Sequence, residues 1–128
     1  MGLFINTGLA ELFANGLLKL ASPETIPWFA FVISSVVNLF IPSGGGEWLV
    51  LGPPLLKAAN IAGADAGKTI IGFAYGDALT NLINPFWTLT FLPIMSQLMN
   101  IRPKDFMGYT VFICLIFFVI ESLVILFV

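Results

Sequence analysis

The residues able to do chemistry in this chain stand inside apolar sequence, in two short stretches. The first is Asn38-Leu39-Phe40-Ile41-Pro42-Ser43-Gly44-Gly45-Gly46-Glu47-Trp48, and the second is Asp77-Ala78-Leu79-Thr80-Asn81-Leu82-Ile83-Asn84-Pro85. Pro42 has no backbone N–H, and Gly44, Gly45 and Gly46 disfavour helix, so a helix is expected to break at Pro42–Gly46. A break inside hydrophobic sequence uncovers backbone dipoles, which a bilayer tolerates only where they are buried in protein or line a wet cavity. The N–H groups of Gly44, Gly45 and Gly46, ahead of a helix expected to start near Glu47, suit a carboxylate, with the Ser43 hydroxyl beside them. Thr80, Asn81 and Asn84 offer oxygens and amides without charge, a neutral hydrogen-bonding wall or a set of sodium ligands, and Asn38 offers the same. Glu47 and Asp77 are ionisable groups at membrane depth, which makes them candidate carriers of a coupling H+ or Na+. Glu47 also suits the first turn of a helix for its dipole alone. The plainer role for the amides and hydroxyls is to satisfy backbone freed by the two breaks.

Other chemistries lack their parts. There is no histidine, so the usual general base and metal ligand are missing, and no metal site or cofactor is expected. Ser43 has no base to activate it, and Asp77 has no second aspartate in an apolar run to pair with. Ala62-Gly63-Ala64-Asp65-Ala66-Gly67-Lys68-Thr69 is like a phosphate-binding loop but has alanine where its first glycine belongs and no strand before it. An enzyme is therefore not expected. The net charge of −2 is unclustered, without a basic patch for nucleic acid. Cys114 is the single cysteine and makes no internal disulfide.

The elements that must position these residues follow from hydropathy. The chain is 59% hydrophobic and 9% charged, with a mean hydropathy of +1.01, so its solvent is lipid and its class is an all-α membrane protein. A helix is expected over 2–20, followed by a turn in which Ser22 and Pro23 read as a helix start. Thr25–Ile41, about 17 residues and roughly 25 Å, is short of a ~30 Å hydrocarbon core. Glu47–Asn60 is shorter still and is interrupted by Gly52-Pro53-Pro54. Two short arms around a glycine-rich tip predict a re-entrant hairpin over 25–60 with its tip at 42–46; the rival is a kinked crossing followed by another. A broken helix is expected over 69–98 with its break at 78–85, and a transmembrane helix over 106–128, where Glu121 is close enough to the end to snorkel. The hairpin puts Lys19, Lys57 and Lys68 on one side and Arg102 and Lys104 on the other, a weak bias for orientation.

Asn38–Trp48 followed by Gly52-Pro53 resembles a signature of the short-chain fatty acid transporter family, typified by bacterial acetoacetate and butyrate permeases. Asp77–Trp87 resembles its second signature, and Arg102-Pro103-Lys104-Asp105-Phe106-Met107-Gly108-Tyr109 the connection to its last helix. The resemblance implies secondary transport of butyrate- or acetoacetate-like monocarboxylates by a multi-pass protein of the bacterial inner membrane. It implies an ion-transporter fold of inverted repeats, each with a re-entrant hairpin and a broken helix. It places the substrate at Ser43, Gly44, Gly45, Gly46, Thr80, Asn81 and Asn84; the residues themselves offer Asp77, Glu47 and Asn38 as coupling candidates beside it, and Phe40, Trp48 and Trp87 as a small apolar pocket for the short alkyl chain. Family members are several times longer and resemble this chain in their C-terminal portion. The partners implied are the lipid bilayer, a small monocarboxylate and a second repeat, either an N-terminal half or another copy of this chain. The alternative is a structural or accessory membrane protein with no solute.

Overall fold

A computed structural model describes residues 15–17, 19–100 and 102–127. These are helical with no strand among them, as an all-α membrane protein requires. Most of the helix expected over 2–20 lies outside the described residues; within them, 15–17, 19 and 20 are helical.

Helix α1 spans Ile26–Asn38 and opens on a turn closed by Ser22 and Thr25, whose hydroxyl accepts from the Ser22 N–H at 2.9 Å. Pro27 sits in its first turn, where its missing N–H has no helical partner to lose. Leu39 and Phe40 form a turn, and Ile41 to Ser43 are irregular. Helix α2 spans Gly44–Ala62. Ser43 is extended (φ −150°) and caps it, accepting from the Gly46 N–H at 3.3 Å. The break therefore falls at residues 39–43 rather than 42–46. Gly44, Gly45 and Gly46 form the first helical turn, because the cap stabilises that turn more than glycine propensity opposes it. Nor does α2 stop at Gly52-Pro53-Pro54: it runs through both prolines. Gly52 helps here, since the Trp48 ring lies 2.7 Å from where its Cβ would be.

Gly63, at φ 75°, closes α2 in the left-handed conformation that favours glycine. Asp65 then caps helix α3, Ala66–Thr80, by accepting from the Lys68 N–H at 2.9 Å. The phosphate-loop-like stretch is thus a helix connector. Residues 81–84 separate α3 from α4, which spans Pro85–Met99. Ala78, Leu79 and Thr80 belong to α3, so this break too is narrower than expected. Helix α5 spans Pro103–Phe127 and contains Met107–Phe127, long and apolar enough to cross a membrane.

The helices pack through small residues. A Cβ on Gly72 would sit 2.2 Å from the Pro27 carbonyl oxygen, and one on Gly76 would sit 2.3 Å from that of Phe31. Glycine four apart lets the α3 backbone lie directly on α1, the close approach on which helix association in lipid depends. The matching order of these contacts makes α1 and α3 parallel. Helix α5 runs antiparallel to both: Trp28 Nε1 donates to Ser122 Oγ, Phe31 stacks on Phe118 at 5.1 Å, and Cys114 Sγ lies 3.9 Å from the Leu79 carbonyl oxygen. Helix α2 returns beside α3, with Trp48 against Phe73 at 4.8 Å. The outer ends of α1 and α2 come together, since Pro23, Pro27, Gly63, Asp65 and Lys68 line one cavity of about 380 Å³. Their inner ends meet α3 at Asp77–Thr80, level with the middle of α5.

Candidate functional site

The two breaks meet and are tied to each other by side chains. Asn38, the last residue of α1, has no exposed surface. Its Nδ2 donates to the Asp77 carbonyl oxygen (2.7 Å), Thr80 Oγ1 (3.0 Å) and Asn81 Oδ1 (3.0 Å). Three acceptors share two hydrogens, and all three belong to the end of α3 or the break that follows. Asn84 returns the contact: its Nδ2 donates to the Asn38 carbonyl oxygen at 2.6 Å, while its Oδ1 caps α4 by accepting from the Phe86 N–H at 2.9 Å. Two helix C-termini (α1 and α3) and two N-termini (α2 and α4) thus converge. The N-termini carry partial positive charge and the C-termini partial negative charge.

The two acids lie in this junction. Glu47 is buried with no exposed surface, and its Oε1 accepts from Ser34 Oγ of α1 at 2.7 Å. The Asp77 carboxyl faces it from α3. Asp77 also rests on the start of α2: a Cβ on Gly44 would be 2.8 Å from Asp77 Oδ2. Glu47 Oε2, Asp77 Oδ1 and Asn38 Oδ1 are buried without a hydrogen-bond partner.

The remaining candidates divide by what already engages them. Thr80 is buried, and its hydroxyl lies 3.2 Å from the Gly76 carbonyl oxygen, to which it donates. Asn84 is buried in the tie just described. Asn81 uses its oxygen to accept from Asn38 and from Trp87 Nε1, the latter at 3.0 Å, while its backbone N–H donates to the Leu79 carbonyl oxygen. Ser43 and Gly45 are exposed, and nothing lies within 4 Å of a Cβ built on Gly45. Of the three expected apolar residues, Trp48 packs inward on Phe73, whereas Phe40 and Trp87 are exposed. The junction therefore has a closed side, towards α1 and α3, and an open side carrying Ser43, Gly45, Phe40, Leu82, Phe86 and Trp87. Among the described residues no cluster of His, Cys, Asp and Glu is fit to hold a metal through three such groups.

Two features had no place in the sequence reading. Ser34 donates to the buried Glu47 carboxyl, and nothing in its spacing announces a partner 13 residues on. Gly72 and Gly76 are different, since their four-residue spacing is the small-residue pattern of close helix contacts and was open to reading.

Comparison with known proteins agrees over nearly the whole chain. Residues 4–128 match the family model described as short chain fatty acid transporter. A candidate short-chain fatty acid transporter of Escherichia coli (strain K12) is 36% identical over 106 residues, covering 83% of this chain and 23% of that protein. One of Haemophilus influenzae (strain ATCC 51907 / DSM 11121 / KW20 / Rd) is 35% identical over 104 residues, covering 81% and 22%. A candidate basic amino acid antiporter of Escherichia coli (strain K12), YfcC, is 29% identical over 58 residues, covering 45% and 12%. The chain thus spans less than a quarter of the length of these relatives. No solved structure matches it.

Proposed function

Since the chain belongs to the short-chain fatty acid transporter family, we propose that it supplies one wall of a site that carries a short-chain monocarboxylate, of the butyrate or acetoacetate class, across the inner membrane by coupled secondary transport. The observation that carries this reading is the convergence of both helix breaks on Asn38. Broken helices meeting at mid-depth are how secondary transporters present half-helix N-termini to anions and carbonyls to cations. The re-entrant hairpin belongs to the same reading. It is supported by the shared outer end of α1 and α2, and by the position of their inner ends beside Leu79 and Cys114, midway along the 25-residue α5.

The solute's carboxylate would approach from the open side, to the N–H groups of Gly44 and Gly45 and the amide of Asn81. The first amides of a helix have no intrahelical acceptor, and glycine lets an anion come close. The alkyl chain would lie along Phe40 and Trp87. The place is electrostatically contested, because Asp77 rests against Gly44 and Glu47 lies one turn further on. An anion entering beside two acids is repelled unless one of them is neutralised. Binding of the solute and of a proton or cation would then favour each other, as linkage requires and as a symporter uses.

The open side needs a cover. Phe40, Phe86, Trp87 and Leu82 are exposed there, and the relatives are about four times longer. A second, inverted repeat, from the rest of a longer chain or from another copy of this one, would close the site from that side. The direct test is labelled butyrate binding and uptake by the complete assembly in proteoliposomes, with Gly45→Val as the probe. That side chain enters open space, so the variant should fold and lose butyrate binding. A folded Gly45→Val protein with unchanged butyrate affinity would remove the α2 N-terminus from the site. A complete assembly that binds no monocarboxylate would leave a structural role.

A further inference from the structure

Three buried oxygens at the junction have no hydrogen-bond partner: Asn38 Oδ1 on α1, Glu47 Oε2 on α2 and Asp77 Oδ1 on α3. They belong to residues already linked to one another. Asn38 Nδ2 donates to the Asp77 backbone, Asp77 faces Glu47, and Asp77 Oδ2 lies against the first residue of α2. Asn38 and Glu47 have no exposed surface at all. Leaving a buried acceptor without a partner is costly, and more so for a charged group. Three such acceptors on residues linked in this way point to a specific companion.

We propose that Asn38 Oδ1, Glu47 Oε2 and Asp77 Oδ1 are the protein ligands of a small, hard monovalent cation of the sodium class. The proposal rests on the coupled-transport reading and names the ion that reading requires. Its first support is that all three atoms are acceptors. Four nearby side-chain donors are already engaged: Ser34 Oγ with Glu47 Oε1, Ser35 Oγ with the Phe31 carbonyl, Thr80 Oγ1 with the Gly76 carbonyl, and Asn38 Nδ2 with its three acceptors. A proton bridges one pair of oxygens and leaves the third unmatched, whereas a cation engages all three. The ligand type selects a hard ion, since neither thiolate nor imidazole is present. Two carboxylates and one amide oxygen fall short of the six to eight oxygens that Ca2+ takes, and the divalent ions are set against Na+ in the test below. The cation would be a counter-charge to the two acids.

All three ligands belong to this chain, so the ion can be sought on it alone. The experiment is a NaCl titration of the full chain in lipid nanodiscs at constant ionic strength, followed by the fluorescence of Trp48, adjacent to Glu47, and Trp87, bonded to Asn81. KCl, choline chloride, CaCl2 and MgCl2 serve as comparisons, and the Na+ series is run at two pH values. The expected result is a saturable response to Na+ that choline and K+ do not give, weakened roughly tenfold or more in Asp77→Asn and Glu47→Gln. Gly108→Ala, where nothing lies within 4 Å of the added methyl group, leaves the three oxygens in place and should keep the response. An identical response to choline overturns the proposal, as does saturation by a divalent ion at lower concentration, or a response to pH with none to Na+. The transport reading fails differently: Na+ would bind as expected while the complete assembly showed no monocarboxylate binding.

Discussion

Asn84, in the second break, donates its amide to the carbonyl of Asn38, in the last turn before the first break, at 2.6 Å, across 46 residues of sequence. The bond satisfies a carbonyl at the C-terminus of α1, where the helix offers no N–H, while the Asn38 amide does the same for the end of α3. Each break is thus stabilised by the other, and neither is a free kink. Asn38→Ala removes three contacts and leaves the Asp77 carbonyl without its donor. We expect a loss of about 2–3 kcal/mol in unfolding free energy, and a similar but smaller loss for Asn84→Ala. Reversible unfolding of the two single variants and the double variant is the measurement. The double should cost clearly less than the sum, because either change releases the same junction; additivity would show that the breaks are independent.

A second prediction concerns the α1–α3 contact. Gly72→Ala and Gly76→Ala each place a methyl group where a backbone oxygen already lies, at 2.2 and 2.3 Å. Backbone cannot swing away as a side chain does, so the helices must separate. Each substitution should cost about 1–3 kcal/mol and lower the thermal midpoint. Gly108→Ala, with nothing within 4 Å, should be neutral or slightly stabilising, since alanine is the better helix former. Equal midpoints for all three variants would rule out a tight α1–α3 seam.

How much of this was legible in the sequence depended on whether a residue acts locally. Pro42, Asn84 and Pro85 mark breaks through their own backbone chemistry, and the breaks fall within a few residues of where they were read. The boundaries moved because glycine was weighed as a helix breaker without the Ser43 cap, and because Pro53 and Pro54 were weighed without Gly52 and the Trp48 ring over it. The helices α3 and α5 began earlier than expected for the same reason: Asp65 and the Arg102–Asp105 pair are caps. The seam was legible in Gly72 and Gly76. The junction was not, because Asn38 meets Thr80, Asn81 and Asn84 only once α2 has returned the chain, and periodicity along one helix carries no record of that.

The start of α5 should respond to acid. The Arg102 guanidinium and backbone N–H both bond Asp105, at 3.1 and 3.0 Å, and hold its carboxyl below the ordinary aspartate value. A group depressed in the folded state stabilises above its unfolded pKa, about 3.9, and that contribution fades as pH falls through the folded value. The pair is exposed, so the effect is local. Amide exchange at Arg102 and the first turn of α5 should accelerate below about pH 4, and Asp105→Asn should show the faster exchange already at neutral pH. A pH-independent exchange rate, after correction for intrinsic chemistry, would mean that the cap does not depend on the charge.

The most informative pair of substitutions lies one residue apart. Gly44→Ala sets a methyl group 2.8 Å from Asp77 Oδ2, while Gly45→Ala meets nothing. Both positions are in the first turn of α2 and change helix propensity alike, so the difference between them isolates the Asp77 contact. Asp77 is the far end of a side chain and can yield, so Gly44→Ala should fold with little loss of stability. It should instead move the carboxyl away from the α2 N-terminus and from Glu47. If Asp77 couples ion to solute, butyrate uptake by the complete assembly should lose its dependence on the driving ion in Gly44→Ala while residual uptake persists, as in Asp77→Asn. Gly45→Ala should keep the ion dependence and change only the apparent affinity for butyrate. Uptake in proteoliposomes under imposed Na+ and H+ gradients separates these outcomes. Ion dependence intact in both Gly44→Ala and Asp77→Asn would take Asp77 out of the coupling step and leave Glu47, held by Ser34, as the acid to test next.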